Sequence, residues 1–407
     1  MNRVLLAFSG GLDTSYCARY LAVDLGMEVH TVVVDTGGFS DAELDRIAER
    51  AQVCGATSHA TLDRTEQLYD DVLRYCIAGN VLKNAAYPLS VSAERVVQAI
   101  AIAEHARTIG ATHLAHGSTG AGNDQVRFDL IFRILCPDLP VITPIRDQRL
   151  SRDEEIAYLS TNGVEGDWTK AAYSINQGIW GTTIGGRETL TSGDPLPEHA
   201  YPSATSDDDH PENSEGLVVS FVDGEPVALN GTTMEPVDVI RMLNERGTAW
   251  RIGRGMHVGD TIIGIKGRVA FEAPAASILI EAHRVLEKHT LTKWQINLKD
   301  QLSTWYGQLL HEGQFLEPAM RDIEAFYRQT QERVTGDVTI ELRDRTFDVL
   351  GISSPNDLMQ SSFATYGEVN RAWSGDDVKG FATISAITTT IHRTVDNEQP
   401  ATGSARS

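Results

Sequence analysis

The run Val4-Leu5-Leu6-Ala7-Phe8 is almost wholly apolar and passes at once into Ser9-Gly10-Gly11-Leu12-Asp13-Thr14-Ser15, after which Cys17, Tyr20, Leu21 and Leu25 recur at helical spacing. A run without alternation reads as a strand buried on both faces, and a strand that turns through two glycines into such a helix opens a βαβ unit. Gly26 supplies a helix stop, and Val29 to Val34 supplies the next strand. The N-terminal third is thereby confined to a parallel sheet with crossover helices, because parallel neighbours need a long connection. Thr112 to Ala115 and Val141 to Ile145 read as further strands. Ser40-Asp-Ala-Glu43 and Ser151-Arg-Asp-Glu154 are capping boxes, in which each side chain satisfies a free N–H of the first turn. They predict helices from Asp41 to about Cys54 and from Arg152 to near Gly163.

The first junction also carries chemistry. Gly10 and Gly11 lack a Cβ, so their N–H groups approach a charged oxygen closely, and Thr14 and Ser15 add hydroxyls where the helix dipole favours an anion. The result is an oxyanion cradle, although no Lys stands at Walker spacing. A second loop, His116-Gly-Ser-Thr-Gly-Ala-Gly-Asn-Asp-Gln-Val-Arg-Phe-Asp129, follows the third strand. Its glycines let the backbone close on a ligand. Asn123 offers a donor and an acceptor, Asp124 accepts from an ammonium, and Arg127 can fork a carboxylate, groups that together fit amino acids. The plainer alternatives are an ordinary glycine-rich βα turn for the first loop and an Asp–Arg surface pair for the second.

At 407 residues the chain has material for two or three domains. Asp and Glu total 56 against 35 Lys and Arg, a formal charge of −21, which repels nucleic acid and anionic membranes unless a basic patch intervenes. No apolar stretch reaches the roughly 18 residues of a membrane helix, and the N-terminus breaks too early for a signal peptide. Cys17, Cys54, Cys76 and Cys136 form no CxxC pair and read as reduced, packed thiols, so a cytosolic location is expected. Beyond about residue 165 the texture changes to hairpins, at Leu217 to Leu229 around Asp223-Gly224 and at Val338 to Val349, with helices at Pro236 to Arg246, Ala276 to His289, Thr292 to Glu312 and Pro318 to Val334. Ser206 to Glu215 is an acidic, mobile loop by composition, and Gln399 to Ser407 a disordered polar tail.

The first loop resembles the SGGxDS pyrophosphate loop of the N-type ATP pyrophosphatases, and the second the HGxTGxGNDQVRFE signature of the argininosuccinate synthase family. Tyr87-Pro-Leu-Ser-Val-Ser92 with Arg95, Tyr173-Ser174, Trp180-Gly181, Gly264-Ile-Lys-Gly-Arg268, Glu272-Ala-Pro274, and Gly380-Phe381 with Ile384 extend the likeness over about residues 4 to 393. The resemblance implies an α/β nucleotide-binding domain at 1–165, an α+β synthetase domain at 166–360, a C-terminal helix region at 361–395 that makes a homotetramer, and a tail at 396–407. It implies joining citrulline to aspartate through an adenylate, with ATP and Mg²⁺, in arginine biosynthesis.

By that resemblance Ala7, Phe8, Ser9, Gly10, Gly11, Leu12, Asp13, Thr14 and Ser15 hold the ATP phosphates, while Val34 and Gly117 line the nucleotide. Thr119, Asn123 and Asp124 take aspartate. Tyr87, Ser92, Arg95, Asn123, Arg127, Ser174 and Thr183 take citrulline. Asp13, Asp124 and Arg127 carry the catalytic roles, with Asp13 either ordering metal or loop, or simply capping a helix. The chain departs from the family pattern mainly at the citrulline end. Asn176 and Gly185 stand where the pattern has Asp and Glu, Gly259 beside Asp260 where it has Glu, Phe271 where it has Tyr; elsewhere Ala121 replaces a frequent Lys. Losing carboxylates there leaves an ammonium poorly paired. Three readings follow: drift, substitution by Asp260 or Glu188, or a citrulline acylated at Nα. A tRNA-modifying enzyme would want a basic face and reactive cysteines, and a non-catalytic protein has no reason to keep Ser9, Asp13, Thr14, Asn123, Asp124 and Arg127 together.

Overall fold

The computed structural model describes residues 2–166, 168, 173–203, 213–364, 366–367 and 371–398. Its first part runs β1 (Arg3–Ala7), α1 (Leu12–Val23), β2 (Glu28–Asp35), α2 (Asp41–Val53), β3 (Ser58–Asp63), α3 (Thr65–Leu68), a π-helical turn at Tyr69–Leu73, α4 (Arg74–Ala78), α5 (Ser90–Thr108), β4 (His113–Ala115), α6 (Asp124–Leu135), β5 (Val141–Ile142), α7 (Pro144–Gln148) and α8 (Arg152–Thr161). The five strands are parallel in the order β3-β2-β1-β4-β5. Leu5 and Leu6, adjacent in sequence, are fully buried in different apolar clusters on the two sides of the sheet, as an unalternating run requires. Both capping boxes form, with Ser40 N–H donating to Glu43 Oε2 at 2.9 Å and Ser151 N–H to Glu154 Oε2 at 2.8 Å.

Several elements depart from the sequence reading, β3, α5 and β5 among them. β3, Ser-His-Ala-Thr-Leu-Asp, is an edge strand without an apolar run. α5 escapes periodicity because most of its 19 residues are buried, leaving no polar face to contrast. β5 stops at Ile142, where Thr143 and Pro144 open α7. The four cysteines are free and buried, as expected.

The next part contains β6 (Ser174–Gly178), β7 (Gly181–Gly185), β8 (Glu215–Val222), β9 (Glu225–Leu229), β10 (Thr232–Thr233), α9 (Pro236–Ala249), β11 (Arg254–Asp260), β12 (Lys266–Glu272), α10 (Pro274–Thr290), α11 (Lys293–His311), α12 (Pro318–Gln331), β13 (Gly336–Arg343) and β14 (Thr346–Ser353). Two antiparallel sheets result, β11-β12-β7-β6 and β10-β9-β8-β13-β14. The expected hairpins are β8–β9 and β13–β14. One apolar core runs from Leu5 and Val32 through α5 to Leu279 on α10 and Val338 on β13. Within it Lys299, fully buried, pairs with Glu287 at 2.7 Å and donates to the Ala78 carbonyl at 2.8 Å. Glu287 also accepts from the amides of Asn80 at 2.6 Å and Gln331 at 2.9 Å, so the buried charges are fully engaged.

The chain divides into two compact units, Met1–Asn356 and Asp357–Ser407. The described part of the second contains α13 (Gly375–Glu398), on which Phe381, Ile384, Ile391 and Val395 form an exposed apolar stripe. Residues 206–212 of the acidic loop and the tail from Gln399 lie outside the described residues, and Glu215 opens β8. Among the described residues no helix is long and apolar enough to cross a membrane.

Candidate active site

β1 and β4 are neighbours, yet their crossovers leave in opposite directions, which opens a crevice at their carboxyl ends. A cleft of about 1130 Å³ occupies it. The loop after β1 forms one wall. Gly10 turns with φ +73°, and a Cβ there would stand 3.2 Å from Ile47 on α2, so glycine is required both by conformation and by space. Thr14 Oγ1 lies 3.3 Å from Ser9 Oγ and donates to the Gly11 carbonyl at 3.3 Å, closing the cradle at the head of α1. Ala7 to Thr14 all line the cleft, as do Val34 and Gly117. Ser15 does not. Helical residues advance about 100° each, so with Thr14 facing the loop the Ser15 hydroxyl points into the core beside Cys54.

The loop after β4 abuts the first one. A Cβ on Gly117 would meet Thr14 Cγ2 at 3.2 Å. His116 Nδ1 accepts the Ser118 N–H at 3.2 Å, which leaves Nε2 to donate to Asp129 at 3.0 Å, and Arg146 holds that carboxylate at 2.8 Å. Asn123 Oδ1 accepts the Ile262 N–H at 2.8 Å, anchoring the β11–β12 turn and leaving its amide N–H groups to the cleft, which Thr119 also lines. Asp124 receives Arg127 Nη1 on Oδ1 at 2.8 Å and Arg95 Nε on Oδ2 at 2.9 Å. The two guanidiniums hold its carboxyl below the usual range despite burial, leaving a net positive group at the centre of the cleft. Arg127 is more engaged than a free carboxylate fork: it also donates to Ser92 Oγ at 2.9 Å and to the His311 carbonyl at 3.1 and 2.9 Å.

The opposite wall is the β11-β12-β7-β6 sheet. Ser174 and Thr183 line the cleft there, with Asn176, whose Oδ1 accepts from Arg95 at 2.5 Å, while Tyr87 and Ser92 line it from the loop before α5 and from α5 itself. Leu89, just before α5, holds φ +62° while fully buried, and the Trp180 indole donates to the preceding Pro88 carbonyl at 3.0 Å. A bulky residue in that region marks strain held by its surroundings. Of the two carboxylates expected to substitute for the missing ones, Asp260 lines the cleft. Glu188 does not; it accepts the Tyr173 hydroxyl at 2.8 Å behind it.

Comparison with known proteins agrees with this geometry. Residues 3–165 match the arginosuccinate synthase N-terminal HUP domain and residues 173–392 the arginosuccinate synthase C-terminal domain. The chain belongs to the argininosuccinate synthase family. Argininosuccinate synthase of Methanocaldococcus jannaschii is 37% identical over 90% of this chain and 93% of its own, and that of Xanthomonas campestris 36% over 97% and 98%.

Several groups in and beside this cleft carry no motif. Arg50, Arg152, His257 and His311 reach it from α2, α8, β11 and α11, whose spacing in sequence gives no sign that they converge. Burial and the neighbouring Asp13 carboxylate push Glu155 on α8 up to about 8. Glu94 on α5 is buried against Gly178, where a Cβ would fall 1.6 Å from its Oε1, and burial pushes its carboxyl up to about 8. The folded chain keeps this proton until about pH 8, while the unfolded chain releases it near the ordinary 4.5, so stability falls as pH rises between those values. Glu94→Gln, permanently neutral, is expected to remove that slope, gaining about 4 kcal/mol relative to the parent between pH 5 and 9. Urea unfolding at the two pH values checks it; parallel pH dependences would refute it.

Proposed function

We propose that this chain joins citrulline to aspartate with ATP, in arginine biosynthesis. The ureido oxygen of citrulline attacks the α-phosphorus, forming a P–O bond as pyrophosphate leaves. The aspartate amine then adds to the ureido carbon, losing a proton, and the C–O bond to AMP breaks. Neither step needs a nucleophile from the protein, so positioning and charge stabilisation carry the catalysis. The supporting observation is the abutment of the two loops at Gly117 and Thr14, which sets a phosphate cradle against the amino-acid groups of Thr119, Asn123 and Asp124 within one cleft.

The N–H groups of Gly10 and Gly11 and the hydroxyls of Ser9 and Thr14 face the phosphates, and Val34 lies against the base. Tyr87, Ser92, Ser174 and Thr183 line the citrulline side. Arg95 and Arg127 hold Asp124 toward the aspartate amine. Among the described residues no cluster of three metal-ligating side chains forms, so Mg²⁺ fits as part of the substrate MgATP rather than as a resident ion. Four buried thiols and the absence of any disulfide among the described residues favour a cytoplasmic setting. The test is oxygen transfer: citrulline labelled with ¹⁸O in the ureido group should deliver its label to AMP in the presence of ATP and aspartate. Unlabelled AMP would exclude the adenylate.

We further propose a homotetramer built partly by α13, whose stripe Phe381, Ile384, Ile391 and Val395 suits an apolar partner such as a second copy. Ile384→Glu with Ile391→Glu is expected to give a smaller oligomer by light scattering; an unchanged mass would remove α13 from the assembly.

A further inference from the structure

The ligase reading leaves the α-ammonium of citrulline without an assigned acceptor. With ATP on the phosphate loop and the ureido group at the α-phosphorus, the amino-acid end of citrulline faces Thr183, His257, Gly259 and Val269, across from Tyr87 and His311. An α-ammonium placed there needs an acceptor. Asp260 is exposed and already engaged with Lys266 at 2.6 Å. Asp124 is held between two guanidiniums, and the Asn176 oxygen is taken by Arg95.

His257 is different. It lines the cleft yet is only 7% exposed, and its ring stacks on Tyr87 at 5.4 Å and 25°. No hydrogen bond from a described residue reaches either ring nitrogen. Gly259 lies two residues along β11 on the same face, and a Cβ added to it would stand 2.7 Å from His257 Nε2. The imidazole therefore fills the space that a side chain at position 259 would occupy. A strand that gives up its side chain at 259 and places a ring from 257 in that volume exchanges one polar group for another.

We propose that His257 is a specificity-determining residue that accepts an N–H of the citrulline α-ammonium through its unprotonated ring nitrogen, in the space left by Gly259. The inference rests on the ligase reading. The charged and titratable groups around the ring are Lys83, Tyr87, His311 and Asp260. Burial and the Lys83 ammonium hold His257 below the usual histidine range, and burial with Arg127 pushes His311 down to about 3. Both rings are neutral near pH 7, so the wall presents lone pairs to an ammonium rather than further positive charge.

The test is steady-state pyrophosphate release by the full chain. His257→Phe keeps the stack on Tyr87 but removes the acceptor, and should raise the citrulline KM about tenfold or more while leaving those for ATP and aspartate within about twofold. His257→Gln, with an amide oxygen in reach, should recover most of the loss. In the parent the citrulline KM should climb as His257 protonates at acid pH, and this climb should vanish in His257→Gln. An unchanged citrulline KM in His257→Phe, or an equal rise in all three constants, overturns the proposal. So does faster turnover of Nα-acetylcitrulline than of citrulline by the parent, which would show a wall that reads an uncharged nitrogen while leaving the ligase chemistry intact. Pyrophosphate release with no ureido amino acid at all would instead bring down the ligase reading, and the proposal with it.

Discussion

Arg127→Leu is expected to lower kcat/KM by more than about a hundredfold and to destabilise the fold by about 3–5 kcal/mol, the usual result of removing one partner from a buried pair. Arg127 is 3% exposed, and its guanidinium ties together three parts of the chain: Asp124 on its own helix, Ser92 on α5, and the carbonyl of His311 at the end of α11. Without it one Asp124 oxygen loses its donor inside the protein, and Ser92 and Asp124 lose their fixed relation. Arg127→Lys should recover little, because an ammonium cannot span three acceptors held in a fork. The phosphate loop is built by other residues, so ATP affinity, measured by calorimetry, should stay within about threefold of the parent. An ATP affinity that falls as far as turnover would mean that Arg127 supports the whole fold rather than the amino-acid half of the site.

Gly10→Val should act in the opposite sense, abolishing ATP binding while leaving the body folded. The backbone at φ +73° disfavours a β-branched residue by about 1–3 kcal/mol, and its Cβ would press on Ile47, 3.2 Å away, before the branch is added. The chain can relieve this only by moving the loop, which turns the N–H groups away from the phosphates. Loss of ATP binding by at least a hundredfold is expected by calorimetry, with a melting temperature lowered by only a few degrees because the displaced segment is the loop between β1 and α1. Retention of parental ATP affinity would remove this loop from phosphate recognition.

What could be read in the sequence was what is contiguous. The phosphate loop is nine residues between a strand and a helix, and its chemistry and position follow from one short string. The second loop is similarly local, and both capping boxes form where their four-residue patterns stand. Even within these strings orientation is partly lost: Ser15 reads as a cradle hydroxyl, although the helical advance from Thr14 turns it into the core. Arg127 reads as a free fork because its partners at 92 and 311 lie far away in sequence. The wall opposite was the least legible. It depends on β11 pairing with β12 so that His257 faces Val269, and on β12 pairing with β7 so that Phe271 meets Thr183. Strand register is a tertiary outcome, and no spacing between residues 183, 257 and 271 announces it.

The buried pair of Lys299 and Glu287 sets an order of events during synthesis. The Ala78 carbonyl and the Asn80 amide emerge more than two hundred residues before the groups that meet them. Gln331 completes the set later still. A nascent chain that has only its parallel sheet outside the ribosome therefore carries open polar positions beneath α4, while a C-terminal fragment on its own would enclose an ammonium lacking part of its cage. Neither half is a finished object by itself. Splitting the gene between the two halves would yield two polypeptides that must find each other before either can close its interior.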